Sequence, residues 1–284
     1  MPQKTMKILS VFLFAVIFLV NANLLAFAQK TNVSKAKQNN AAGIKSRSRY
    51  LQINSIRIHY LEWNQSGDST IVLLHGLYDS ADTWSAAAPL LARGYRVIAL
   101  DRRGAGLTDK PDKGYDFQTL AEDVLSFINK LNLQRVRLVG HSAGAGVALT
   151  VAATEPEKID SVVLIDGGFW AKRADSSDAK PIPPCDAKPV DCKRASAIAR
   201  GSMDYDAEPL YARVSAPTLL IMGIPKKSEA EQFSRELQEA QSHIEKVANE
   251  KLQNGKLVII RETSHWIQRD QPNELASVIN SFYK

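Results

Sequence analysis

Five consecutive residues, Gly140-His141-Ser142-Ala143-Gly144, have the composition needed to present a serine for attack on a carbonyl. They follow a short apolar run, Val136–Val139, and precede a small-residue stretch, Ala145–Thr154, that reads as a packed helix. A tight turn from strand into helix holds the serine in a strained backbone conformation, and glycine at both ends lets the two chains pass closely. The hydroxyl then projects above the sheet at the positive end of the helix. It becomes a nucleophile only when a base takes its proton. Five histidines are available: His59 in an early strand, His75 and His141 in glycine turns, His243 on a charged helix, and His265 in a loop between the last apolar run and the last helix. The two cysteines, Cys185 and Cys192, lie in one proline-rich stretch without a nearby histidine, which argues against a metal site. In an oxidising compartment they are expected to pair as a disulfide. No metal and no cofactor are expected.

The elements that must hold these residues alternate along the chain. Ile56–Leu61 has the period of two that marks a strand. Thr70–Leu74, Arg96–Leu100, Val136–Val139, Ser161–Ile165, Thr218–Met222 and Lys256–Ile260 are near-continuous apolar runs, the pattern of parallel strands buried on both faces. Helical patterns cover Phe117–Leu131, Gly144–Thr154, Glu229–Leu252 and Pro272–Phe282, the last with proline suited to a first turn. Strand and helix in alternation predict an α/β fold, a doubly wound and mostly parallel sheet. About fifty residues between Ile165 and Thr218 lack a strand pattern, which predicts a short lid insertion at about 169–213.

With these pieces in order, residues 50–284 resemble the α/β-hydrolase superfamily. The resemblance rests on His75-Gly76 after a strand, Trp84 in the loop beyond, and Asp101-Arg102-Arg103-Gly104-Ala105-Gly106-Leu107-Thr108, similar to the family's D-x-R-G-x-G-x-S/T turn. The Ser142 elbow, the insertion and Thr263-Ser264-His265-Trp266 complete it. The resemblance implies Ser142 as nucleophile and His265 as base. It implies oxyanion donors in the backbone N–H groups of Leu77 and Ala143. Tyr78 is expected to line the pocket, and Phe169 and Trp170 to bind substrate as apolar walls or to form lid core, with Tyr205 beside them.

The third member of the triad departs from the family's usual pattern. The turn after Thr218–Met222 reads Gly223-Ile224-Pro225-Lys226, with lysine where an acid is expected. Asp166, at the end of the preceding strand, is the favoured acid, placed to fix the tautomer of the imidazole. Glu229 is the first acid after the later strand, and a lid residue such as Asp204 or Asp206 also stays open. So does a site without an acid.

Composition bounds the remaining choices. Hydrophobic residues make up 45% of the 284 and charged residues 23%, which excludes a disordered, collagenous or disulfide-scaffold protein. Residues 1–28 follow the secretory pattern: Lys4 and Lys7, the apolar run Ile8–Val20, then Ala26-Phe27-Ala28. Residues 29–49 carry six basic residues and no acid and are expected to form a disordered arm. The rest holds 28 basic against 30 acidic residues, so the net charge of +6 belongs to the leader and arm and does not argue for nucleic acid. The expectation is an exported serine hydrolase, periplasmic or secreted, with no membrane span after cleavage. It acts on a small-molecule ester, lactone, thioester or amide, with carboxylester chemistry favoured over peptide-bond chemistry. The alternatives are a peptidase using Asp204, Asp206 or Glu208 to hold an amino terminus, and a non-catalytic ligand-binding protein on the same scaffold.

Overall fold

In a computed structural model of the chain, residues 44–67, 69–169, 197, 201, 205–226 and 234–284 are described. Eight strands form one sheet: β1 (Arg47–Ile53), β2 (Ile56–Trp63), β3 (Thr70–Leu74), β4 (Arg96–Leu100), β5 (Val136–His141), β6 (Ile159–Ile165), β7 (Thr218–Ile224) and β8 (Gly255–Arg261). Their order across the sheet is β1-β2-β4-β3-β5-β6-β7-β8. The β1–β2 and β2–β4 pairs are antiparallel, and every pair from β4 onward is parallel.

The apolar strands are buried on both faces, as their composition predicts. Val72, Leu74, Leu138, Val162, Leu164 and Leu220 face a core shared with helices Phe117–Lys130, Ala143–Thr154 and Ser234–Lys246. Ile71, Leu73, Val139, Val163, Leu219 and Ile221 face a second core with the single turn Ala88–Leu91 and the C-terminal helix Pro272–Phe282. Adjacent residues thus serve opposite layers, which is the physical reason the runs are continuous rather than alternating. Helix Phe117–Lys130 starts where Asp116 accepts the backbone N–H of Thr119 at 2.9 Å, an N-cap. Helix Ala143–Thr154 is buried from Gly144 to Ala153, so small and apolar residues surround it on every side.

The first strand corrects one expectation. The arm predicted to be disordered to residue 49 is already strand from Arg47, paired with Glu62 of β2. The buried carboxylate of Glu62 explains it, forming ion pairs with Arg49 at 2.7 Å and Arg96 at 2.6 Å. The basic residues at 47–49 therefore extend the sheet rather than a solvated tail. The leader and residues 29–43 lie outside the described residues, as do Trp170, Cys185, Cys192, Asp204 and Glu229. Among the described residues no helix is long and apolar enough to cross a membrane.

Candidate active site

The candidate residues gather at the C-terminal ends of the parallel strands, the edge where open α/β sheets bind ligands. Ser142 follows β5 with φ 54° and ψ −121°, conformational territory that an L-residue enters only under constraint. Its N–H is held by the carbonyl of Ile165 at 2.8 Å. The flanking glycines are required by approach distance. A Cβ at Gly140 would stand 2.5 Å from Ala145 Cα, and one at Gly144 would stand 2.5 Å from the His75 carbonyl oxygen. Gly167, which the sequence pattern did not single out, does the same from the next strand: a Cβ there would meet Ser142 Cα at 2.6 Å.

Sheet register brings the acid to the base. Ile165 of β6 pairs with His141 of β5 and with Ile221 of β7, so Asp166 emerges between the two neighbouring strand ends. Its Oδ2 accepts from His265 Nδ1 at 2.6 Å, and its Oδ1 accepts the Gly223 N–H at 3.3 Å. Both side chains are about four-fifths buried. With Nδ1–H committed to Asp166, the lone pair of the neutral ring lies on Nε2, the atom a base uses. No hydrogen bond joins Ser142 Oγ to His265 in this structure; such bonds commonly tighten only around substrate. Lys226, in the usual acid position, is exposed.

The turn after β3 supplies the opposite wall. A Cβ on Gly76 would lie 3.1 Å from Ser142 Cβ, so this turn abuts the candidate nucleophile. The Gly76 carbonyl accepts two hydrogen bonds, from His75 Nδ1 and from Arg102 Nη2, both at 2.7 Å. Carbonyl and following N–H point in opposite directions across a trans peptide. Pinning the carbonyl therefore fixes the direction of the Leu77 N–H. His75 Nε2 accepts the Arg102 backbone N–H at 3.1 Å, so this ring is neutral with its proton on Nδ1. Burial, reinforced by the Arg102 charge, lowers its pKa to about 3. Ala143, the second expected donor, opens the elbow helix, where the first N–H groups lack intrahelical partners.

Three expectations about the walls fare differently. Tyr78 is 59% exposed and lines a cavity beside this turn. Phe169 is not a pocket wall. It is 1% exposed within the first core, and its carbonyl accepts from His243 Nε2 at 2.9 Å. Gly168, at φ 80°, turns the chain back against Ala145 and so carries Phe169 inward. Tyr205 is core as well, its ring 4.3 Å from that of Phe117 and its hydroxyl donating to the Gly168 carbonyl. Glu208 forms an ion pair with Lys251 at 2.6 Å, and Asp206 accepts the Glu208 N–H. The peptidase alternative thereby loses Glu208 as an uncommitted acid.

Residues 69–186 match the family model described as the alpha/beta hydrolase fold. The chain has the α/β-hydrolase fold. Among curated relatives, this chain is 41% identical over 110 residues to a non-heme chloroperoxidase of Streptomyces lividans, covering 38% of this chain and 40% of that protein. It is 33% identical over 120 residues to the AB hydrolase superfamily protein YfhM of Bacillus subtilis, covering 41% and 42%. The chain thus matches well under half the length of each. Among solved structures, Cfl2 from Burkholderia cenocepacia aligns with a TM-score of 0.63 at 22% identity, over 84% of this chain and 96% of that one, a likeness of fold.

Proposed function

We propose that this α/β-hydrolase is an exported serine hydrolase that cleaves a small ester, lactone, thioester or amide through an acyl-enzyme on Ser142. The observation that carries the reading is the 2.6 Å contact between His265 Nδ1 and Asp166 Oδ2, at the strand end adjoining a serine held at φ 54°. Ser142 Oγ attacks the carbonyl carbon while His265 Nε2 takes its proton. Asp166 keeps the imidazole in the required tautomer and stabilises the imidazolium. The N–H groups of Leu77 and Ala143 receive the oxyanion, the first aimed by the doubly bonded Gly76 carbonyl. Collapse expels the alcohol, thiol or amine with the proton from His265. Water, activated by the same imidazole, then releases the acid. The secretory pattern of residues 1–28 supports export, and Cys185 and Cys192 would then form a disulfide.

The test is hydrolysis of p-nitrophenyl acetate and butyrate by the parent protein and by Ser142→Ala, with a fluorophosphonate probe. The expected result is turnover and labelling by the parent and neither by the variant. A parent protein that refuses both esters and the probe would instead favour a ligand-binding role on this scaffold.

A further inference from the structure

The turn that carries Leu77 and the loop that carries His265 are joined by a short set of hydrogen bonds, and Arg269 makes two of them. Its guanidinium spends one edge on two partners: Nε donates to Thr83 Oγ1 at 2.8 Å and Nη2 to Asp79 Oδ1 at 2.6 Å. Gln268 Nε2 donates to the same Thr83 oxygen at 3.0 Å, which a hydroxyl with two acceptor sites allows. Arg269 stands in the single helical turn Ile267–Asp270, which opens directly after His265 and Trp266, and its guanidinium carbon lies 5.8 Å from the Trp266 ring centre. Asp79 follows Leu77 by two residues and also accepts the Ser80 N–H at 2.9 Å. Its side chain is 9% exposed against 45% for Arg269, so the ion pair is anchored at its acid end.

Two observations show why this turn needs a tie. Tyr78, between Leu77 and Asp79, has φ 53°, a left-handed conformation that a bulky residue keeps only where its surroundings hold it. The Asp79 charge also helps Arg102 keep its proton against burial, and Arg102 Nη2 is one of the two donors on the Gly76 carbonyl that orients the Leu77 N–H. Attack on a carbonyl uses both walls of the site at once. The imidazole must reach the serine proton while the N–H reaches the oxyanion of the same carbonyl, each within about 3 Å. Asp166 and His141 fix His265 to the sheet. Arg269 ties the same loop to the other wall.

We propose that Arg269 is a positioning residue: through Asp79 and Thr83 it sets the spacing between the His265 imidazole and the Leu77 N–H. The role rests on the serine-hydrolase reading, so its test has one arm that needs catalysis and one that does not. Arg269→Met keeps most of the stem and removes both donors. Arg269→Lys keeps the charge but cannot serve two partners from one planar edge. On p-nitrophenyl butyrate, under conditions where urea unfolding shows each variant to be folded, Arg269→Met should lose roughly 10- to 100-fold in kcat with KM little changed, the effect of a small misplacement at a reacting centre. Arg269→Lys should lose less. An unchanged kcat in Arg269→Met, or a change confined to KM, overturns the proposal. The second arm compares NMR spectra of [15N]leucine-labelled parent and variants, with the Leu77 amide signal identified by its absence in Leu77→Ile. That signal should move or broaden in Arg269→Met and lie nearer the parent position in Arg269→Lys. An unmoved Leu77 signal in Arg269→Met overturns the proposal whatever the kinetics. A parent that hydrolyses no ester would sink the serine-hydrolase reading, while the Leu77 signal still decides whether Arg269 holds the turn.

Discussion

The imidazole of His141 donates from Nε2 to the main-chain carbonyl of His265 at 2.7 Å, linking the nucleophile elbow to the loop that carries the candidate base. Its other nitrogen faces the Gln268 amide at 3.3 Å, and Gln268 in turn donates to Thr83. The ring is 1% exposed and burial holds its pKa well below the ordinary value, so it stays neutral with its proton on Nε2. The residue before Ser142 thus sets where His265 stands. His141→Phe keeps a ring of similar size but leaves the His265 carbonyl without its donor. We expect a loss of about 1–3 kcal/mol in stability. In steady-state kinetics the variant should lose mainly kcat, by about 10-fold or more, because misplacing a base affects the reacting geometry rather than substrate binding.

Asp166→Asn should leave the fold intact, since the amide oxygen can still accept from Gly223 or His265. It removes the charge that favours imidazolium and permits the wrong tautomer. The expected result is a fall in kcat of roughly 10³- to 10⁴-fold with little change in KM, measured on p-nitrophenyl butyrate. A nearly normal Asp166→Asn would send the role of orienting acid to another carboxylate, Glu229 first.

Acid should weaken this protein through its buried neutral histidines. Burial lowers the pKa of His75 to about 3 and moves His141 in the same direction. In the unfolded chain both titrate near 6.5. Below pH 6.5 the unfolded state therefore binds protons that the native state refuses, so stability falls as pH falls, and for His75 this continues toward pH 3. Each such histidine contributes a slope of about 1.4 kcal/mol per pH unit in that window. Urea unfolding at pH 7, 6 and 5 should show the decline, and His75→Gln should make it shallower by one proton.

Gly167→Ala tests the approach of β6 to the elbow. The new methyl would stand 2.6 Å from Ser142 Cα, against backbone that has no rotamer to move. We expect a destabilisation of about 2–4 kcal/mol, read as a lower urea midpoint. Under the proposed function, hydrolysis of p-nitrophenyl butyrate should fall further than stability accounts for, because the displaced atom belongs to Ser142, the proposed nucleophile.

Much of this site was legible along the chain because its signals are local. A serine between two glycines, after an apolar run and before a small-residue helix, can be read within the nineteen residues Val136–Thr154. The seven apolar or alternating runs became β2 to β8, since burial on both faces leaves a composition that needs no partner to be recognised. Arg47–Ile53 escaped notice because an edge strand with one exposed face has a weak pattern, and Arg49 finds its countercharge, Glu62, only on β2. Phe169 reads as a pocket aromatic until the turn at Gly168 sends it into the core.

Which carboxylate stands against His265 is a different kind of fact. Asp166 and His265 are 99 residues apart, and His141 and His265 are 124 apart. Their contacts depend on β5, β6, β7 and β8 lying side by side in one register, because a strand end is placed by the hydrogen bonds of its neighbours. The sequence by itself determined the elbow, the layer order and the set of residues available for chemistry. Only the tertiary structure decided their pairing, since hydrogen bonds act over 3 Å of space whatever length of chain lies between.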